Sequence, residues 1–105
     1  MDMNSFFRSQ TYLQLAKEQA IKSGYNPTKL SLADDGIHKL MYETPQGRNV
    51  KFGRLGYGDY LYYKTFEPDI AKMKREIFQK SHGAISKKYS LGKYSPNELA
   101  LKINW

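Results

Sequence analysis

The chain has 105 residues, enough for one domain with one modest core, and its apolar share of 40% is carried largely by nine tyrosines, five phenylalanines and one tryptophan. It has no cysteine, which excludes disulfides, thiolate zinc sites and a cysteine nucleophile and is compatible with a reducing compartment. The formal charge of +7 is uneven: residues 1–52 hold seven Lys/Arg against five acids, and residues 53–105 hold ten against five.

No apolar run approaches the roughly 20 residues needed to span a bilayer. The opening MDMNSFFRSQ lacks a basic segment followed by an apolar one, so the expectation is a soluble, unexported protein without membrane insertion.

Leu13, Ala16, Ala20 and Ile21 recur at helical spacing, opposite Lys17, Glu18 and Lys22, and predict an N-terminal helix. Asn4 or Ser5 is placed to cap it, Gly24 to stop it, and Phe6, Phe7 and Tyr12 extend its apolar stripe. After GYNP the pattern changes to alternation. Leu30 and Leu32 flank Ser31, ADDG makes a turn, and Leu40 and Tyr42 alternate with Lys39 and Glu43. TPQG turns the chain again toward RNVKFG, where Val50 and Phe52 share one face. An antiparallel meander follows, with DYLYYKTF as a candidate fourth strand.

Pro68 suits a first helical position, and Ile70, Met73, Ile77 and Phe78 form the stripe expected to be buried in a second helix. Lys72, Glu76 and Lys80 at i, i+4, i+8 place Glu76 between two lysines. This helix is expected to stop around Ser81–Gly83, leaving GAISKKYSLGK as a mobile connection. The last helix begins at a capping box, with Ser95 as cap, Pro96 at the first position and Glu98 three residues after the cap. Leu99, Ile103 and Trp105 are its core residues. Together these elements predict an α+β fold for a single domain, residues 1–105: an N-terminal helix, a small antiparallel β-meander of three to four strands, and two C-terminal helices packed on one face.

Between the meander and the basic segment, GRLGYG places Gly53, Gly56 and Gly58 in the order G-x-x-G-x-G. It lacks the Lys-Ser/Thr ending of a phosphate loop and is followed by Asp59, so the glycines read as positions of positive φ or close backbone approach. Asp59 reads as the acceptor that fixes this corner by taking backbone N–H bonds. His38 and His82 fall on different elements without ligand spacing, and Asp34 and Asp35 are what a tight turn requires, so no metal site is expected. No Ser-His-Asp order can be assembled. The reading is a protein that is not an enzyme, with no catalytic residues and no cofactor.

Phe52 and Gly53, the turn of Gly56, Tyr57, Asp59 and Tyr60, the basic helix of Lys74, Arg75, Phe78 and His82, and the stretch from Leu99 to Trp105 resemble a family of short proteins of unknown function encoded by large DNA viruses of protists. The resemblance covers roughly the second half. Phe78 stands where that family often has Tyr, Ser81 where it has Arg before the His, and Asn104 where a Leu usually precedes the Trp. The resemblance implies a giant-virus origin and packaging in the virion, or residence in the cytoplasm or nucleus of the infected host cell.

The remaining signal is charge. Between positions 71 and 93, Lys72, Lys74, Arg75, Lys80, Lys87, Lys88 and Lys93 face Glu76 alone, a local net charge of +6. Placed cations with nearby aromatics (Tyr60, Tyr62, Tyr89, Tyr94) are what phosphate-led binding of viral DNA or RNA requires. Lysines outnumber arginines thirteen to four, which argues against bidentate base reading. The alternatives are an architectural or protein-interaction module of the virion, homodimeric through its sheet or tyrosine-rich face, and a basic face for anionic lipid or an acidic protein.

Overall fold

Two side-chain oxygens divide the N-terminal segment into two helices where its periodicity predicts one. In the computed structural model, which describes residues 2–105, Asp2 caps α1 (Met3–Phe7) by accepting from Ser5 N at 2.8 Å. Ser9 caps α2 (Gln10–Lys22) by accepting from Tyr12 N at 3.2 Å, and its hydroxyl donates to Phe6 O at 2.6 Å. Asn4 and Ser5, the expected caps, lie inside α1. The corner folds Phe6 and Phe7 against Tyr12, with ring centroids 5.4 and 5.0 Å apart and edges turned to faces. Leu13, Ala16 and Ala20 are buried as their spacing predicts, but Ile21 is exposed. At 100° per residue Ile21 stands well off the line of the other three.

The meander forms as a three-stranded antiparallel sheet in the order β1 (Leu30–Leu32), β2 (His38–Glu43), β3 (Asn49–Arg54). Its register sets Leu30 and Val50 opposite Tyr42, and Leu40 opposite Phe52, so the period-2 apolar face is buried as one layer against α2 and the C-terminal segment. The ADDG turn forms as read. Asp35 accepts from the backbone N–H groups of Ile37 and His38 and meets His38 Nδ1 at 2.6 Å, and these bonds hold its carboxyl well below the ordinary range.

DYLYYKTF is not a fourth strand. Residues Tyr60–Phe66 form α3, capped by Asp59, whose Oδ1 accepts from Tyr62 N at 2.9 Å. Leu61 enters the core while Tyr60, Tyr62 and Tyr63 are half-buried around it. Eight residues of alternating aromatics carry no period long enough to separate strand from helix, and the cap decides.

The following helix, α4 (Pro68–Tyr89), is longer than its sequence signals indicate. It runs through Gly83 and takes up most of the segment expected to be a mobile connection, ending at Ser90 in the left-handed region (φ 51°). A mid-helix glycine costs about 1 kcal/mol relative to alanine. Contacts to the next helix offset it: the Asn97 amide donates to His82 O at 2.9 Å and to Ser86 Oγ at 2.6 Å. The face of α4 turned to the body carries Ala71, Phe78, His82 and Ser86. Of the stripe expected to be buried, Met73 (51% exposed) and Ile77 (61%) face solvent.

Half of the capping box forms: Ser95 Oγ accepts from Glu98 N at 3.2 Å and opens α5 (Pro96–Leu99), while the Ser95 N–H donates to Gly92 O at 3.1 Å rather than to the Glu98 side chain. The chain continues as a π-helical turn over Ala100–Asn104, burying Leu99 and Ile103 as predicted and leaving Trp105 half-buried. No helix among the described residues is long and apolar enough to cross a membrane.

Gly53 is where the sheet admits no side chain. Its φ is +72°, and a Cβ there would stand 3.0 Å from Asn104 Nδ2. Gly53→Ala is expected to destabilise the protein by about 1–3 kcal/mol. Urea denaturation of the wild type and variant measures it.

Candidate functional site

Asp59 is 1% exposed and gathers groups from three distant parts of the chain. While Oδ1 caps α3, Oδ2 accepts from Tyr12 Oη at 2.5 Å, from Lys39 Nζ at 3.2 Å and from Asn104 Nδ2 at 3.3 Å. Asn104 Nδ2 also donates to Tyr12 Oη at 2.7 Å. Lys39 Nζ donates to Tyr57 O at 2.6 Å and lies 3.9 Å from the centroid of the Phe7 ring. Asp59 therefore accepts a backbone N–H, but from Tyr62 at the start of α3 rather than from the glycine corner, and it also closes a buried ion pair that strand alternation hid, because Lys39 reads as a solvent-facing strand residue.

Burial sets the acid–base character of this cluster. Loss of solvent lowers the pKa of Lys39, against the opposing pull of the Asp59 carboxylate, and it raises Tyr12 well above the usual phenol, with the Asp59 charge adding to the rise. Tyr25, buried beside Tyr42 and Tyr94, is pushed up to about 12, first by burial and then by Glu98.

The residues singled out around the glycines converge on one corner. Gly53, Tyr57, Gly58, His82 and Trp105 line a cleft of about 550 Å³ above Lys39 and Asn104. Phe52 lies beneath it in the core, Asp59 is buried beside it, and Tyr60 stands on α3 under the Arg75 guanidinium. Gly56, at φ +89°, turns the chain there, and its N–H donates to Asn4 Oδ1 at 2.7 Å. Gly58 is needed for clearance, since a Cβ would stand 2.6 Å from the Tyr63 ring.

The predicted cations divide. Six lie on α4. Lys72, Arg75 and Lys87 fall on one side of it by helical spacing, Lys80 flanks them, and Arg75 and Lys87 line a polar groove of about 620 Å³ with Gln79, Ser86 and Lys102. Lys102 was missed by sequence reasoning because it stands outside the basic run. Glu98 is the groove's one acid.

Lys74 and Lys88 turn away, over the rings of Tyr63 and Tyr89. Lys93 is held structurally, donating to Gly24 O at 3.1 Å beside Tyr25 and Tyr94. The Glu76 pairs expected with Lys72 and Lys80 are not formed. Among the described residues no α4 cation lies within ion-pair distance of a carboxylate, the ion pairs being those of Lys29, His38, Lys39 and Lys51. Exposed i, i+4 pairs gain too little to immobilise two long side chains. Among the described residues no group of three His, Asp or Glu side chains converges as metal ligands. No family model, curated protein or solved structure matches the chain.

Removing one member of the buried pair strands the other. Asp59→Ala leaves the Lys39 ammonium with Tyr57 O alone, and an expected loss of about 3–5 kcal/mol should appear in urea denaturation. Lys39→Met costs less, because Asp59 retains Tyr12, Asn104 and the Tyr62 N–H. The pH dependence has a fixed sign. The raised pKa values of Tyr12 and Tyr25 mean that their contribution is complete below the ordinary phenol value of 10.0 and is lost as pH rises from there toward and beyond 12. Lys39, with a depressed pKa, acts oppositely below its ordinary 10.5, favouring the fold as pH rises. The urea midpoint should therefore fall above pH 10, and Tyr12→Phe should make the fall shallower.

Proposed function

We propose that this protein is a small, basic, non-enzymatic viral protein, associated with the virion, that binds nucleic acid through phosphate contacts without reading sequence. The observation that supports this reading is the Lys72, Arg75 and Lys87 side of α4, joined by Lys102 across the groove and uncancelled by ion pairs. Such a surface attracts a polyanion at long range, and its lysines meet phosphates as point charges rather than reading base edges. The viral setting, in the particle or in the cytoplasm or nucleus of the infected cell, is carried by the resemblance of the second half of the chain to proteins of large DNA viruses.

A second reading is favoured by a different flank of the same helix. Met73, Ile77, Ile85 and Tyr89 leave an apolar strip exposed along α4. A contiguous apolar strip is what an architectural module presents to a second copy or to another virion protein.

One set of measurements separates the two. With Lys72, Arg75, Lys80, Lys87 and Lys102 neutralising about five phosphates, log affinity for duplex DNA falls against log salt with a slope of ~−4 to −5. Fluorescence anisotropy titrations should show this slope, similar affinities for unrelated sequences, and about a tenfold or larger loss in the Lys72→Glu, Lys87→Glu double variant. Equal binding by variant and wild type overturns the nucleic-acid reading. A stable dimer in light scattering with no affinity for DNA or RNA establishes the alternative.

A further inference from the structure

The cleft at the corner of the sheet lies on the flank of α4 away from the phosphate groove and has no part in the proposed binding of nucleic acid. It opens between the end of β3, the turn through Gly58, α4 and the C-terminal turn. One wall is a stack of three rings: Phe78 lies between His82 and Trp105, with centroids 3.8 and 4.3 Å away and planes within 8° of parallel on both sides. The facing wall is largely backbone, kept bare at Gly53 and Gly58, where a side chain would collide with Asn104 or Tyr63.

Among its side chains the lining contains Lys39, Arg54 and His82 and neither Asp nor Glu. The Lys39 charge is matched from below by Asp59, and the His82 ring is engaged with Asn97 Oδ1 at 2.9 Å. Arg54 is exposed at the last position of β3 and pairs with no acid among the described residues. At the floor, Asn104 Oδ1 is buried without a hydrogen-bond partner. It is closed to solvent.

We propose that this cleft binds a small planar aromatic anion, its ring against the Trp105–Phe78–His82 wall and its anionic group at Arg54. The volume of about 550 Å³ falls within the range of small-molecule sites, and a mostly apolar lining with a few placed polar groups is their usual form. The ring edges of that stack meet the face of an aromatic ring edge-to-face, and the unpaired guanidinium selects an anion. A mononucleotide and an aromatic carboxylate share this chemistry.

Trp105 is the sole tryptophan, so its indole N–H gives one NMR signal that reports on the cleft directly. Adenosine monophosphate and 4-hydroxybenzoate are titrated as ring anions, with adenosine and inorganic phosphate as the neutral ring and the bare anion. At least one ring anion is expected to shift the signal saturably below about 10 mM, at least about tenfold more tightly than adenosine or phosphate. Which of the two binds decides between nucleotide and carboxylate. Arg54→Glu, at an exposed position, should weaken binding by about tenfold or more, and Ala100→Leu, which fills the cleft, should abolish it. No shift from either ring anion, an equal shift from phosphate alone, or undiminished binding by Arg54→Glu overturns the proposal. These results are independent of the anisotropy titrations, which read the other flank of α4.

Discussion

The pairing of Lys39 with Asp59 inside the protein is the constraint on which the remaining geometry depends. A charge withdrawn from water is tolerated only where another charge and hydrogen bonds replace the water. Here the replacements come from α2 (Tyr12), β2 (Lys39), the turn before α3 (Asp59) and the C-terminal turn (Asn104). Four segments that share no local contact are thereby held at one point. Because Asp59 also caps α3, the same carboxylate fixes where α3 begins and hence the direction in which α4 leaves the body. Gly53 belongs to this arrangement, since the Asn104 amide occupies the space its side chain would need.

The consequence is felt along α4. A helix of 22 residues seated on a small body buries only one face, and the residues on that face are small or polar: Ala71, Ser86, and the half-buried Phe78 and His82. The other flanks remain free and differ in character. One carries Lys72, Arg75 and Lys87 beside a polar groove, another carries an apolar strip, and the aromatic cleft opens where Phe78 and His82 meet Trp105. A single element thus presents a cationic, an apolar and an aromatic surface that share no side chain.

The cationic side and the cleft are built on different physical terms. The first is the exposed ammonium groups of Lys72 and Lys87 with the half-buried Arg75 guanidinium, whose field is long-ranged and screened by salt. The second is a wall of stacked rings above a buried hydrogen-bond network in which Asn104 Oδ1 has no partner, and its one unpaired charged side chain is the Arg54 guanidinium. The buried cluster links them mechanically, because Asn104 and Lys39 form the floor of the cleft while Asp59 sets the course of the helix that carries the cations.

Much of this protein was legible where a rule acts within a few residues. The period-2 apolar face of the sheet, the turn at Asp35 and Gly36, the cap at Ser95 and the concentration of cations beyond position 70 follow from local backbone preferences and composition. What escaped was decided by partners far away in sequence. Lys39 alternates like a surface residue yet lies inside because Asp59 receives it. Tyr60–Phe66 is the local exception: it alternates like a strand yet is helical because the neighbouring Asp59 caps it. Gly83 looks like a stop, yet α4 passes it because Asn97 supplies hydrogen bonds from the next helix. Lys74, Lys88 and Lys93 belong to the basic run in sequence and leave it in space, while Lys102 joins it. The sequence alone determined the class of fold and the sign of the charge, which depend on short periods and counts. Which cations share a face, and that the glycines, His82 and Trp105 enclose a cleft, was decided only by tertiary structure, because a buried charge constrains the chain at whatever distance its partner lies.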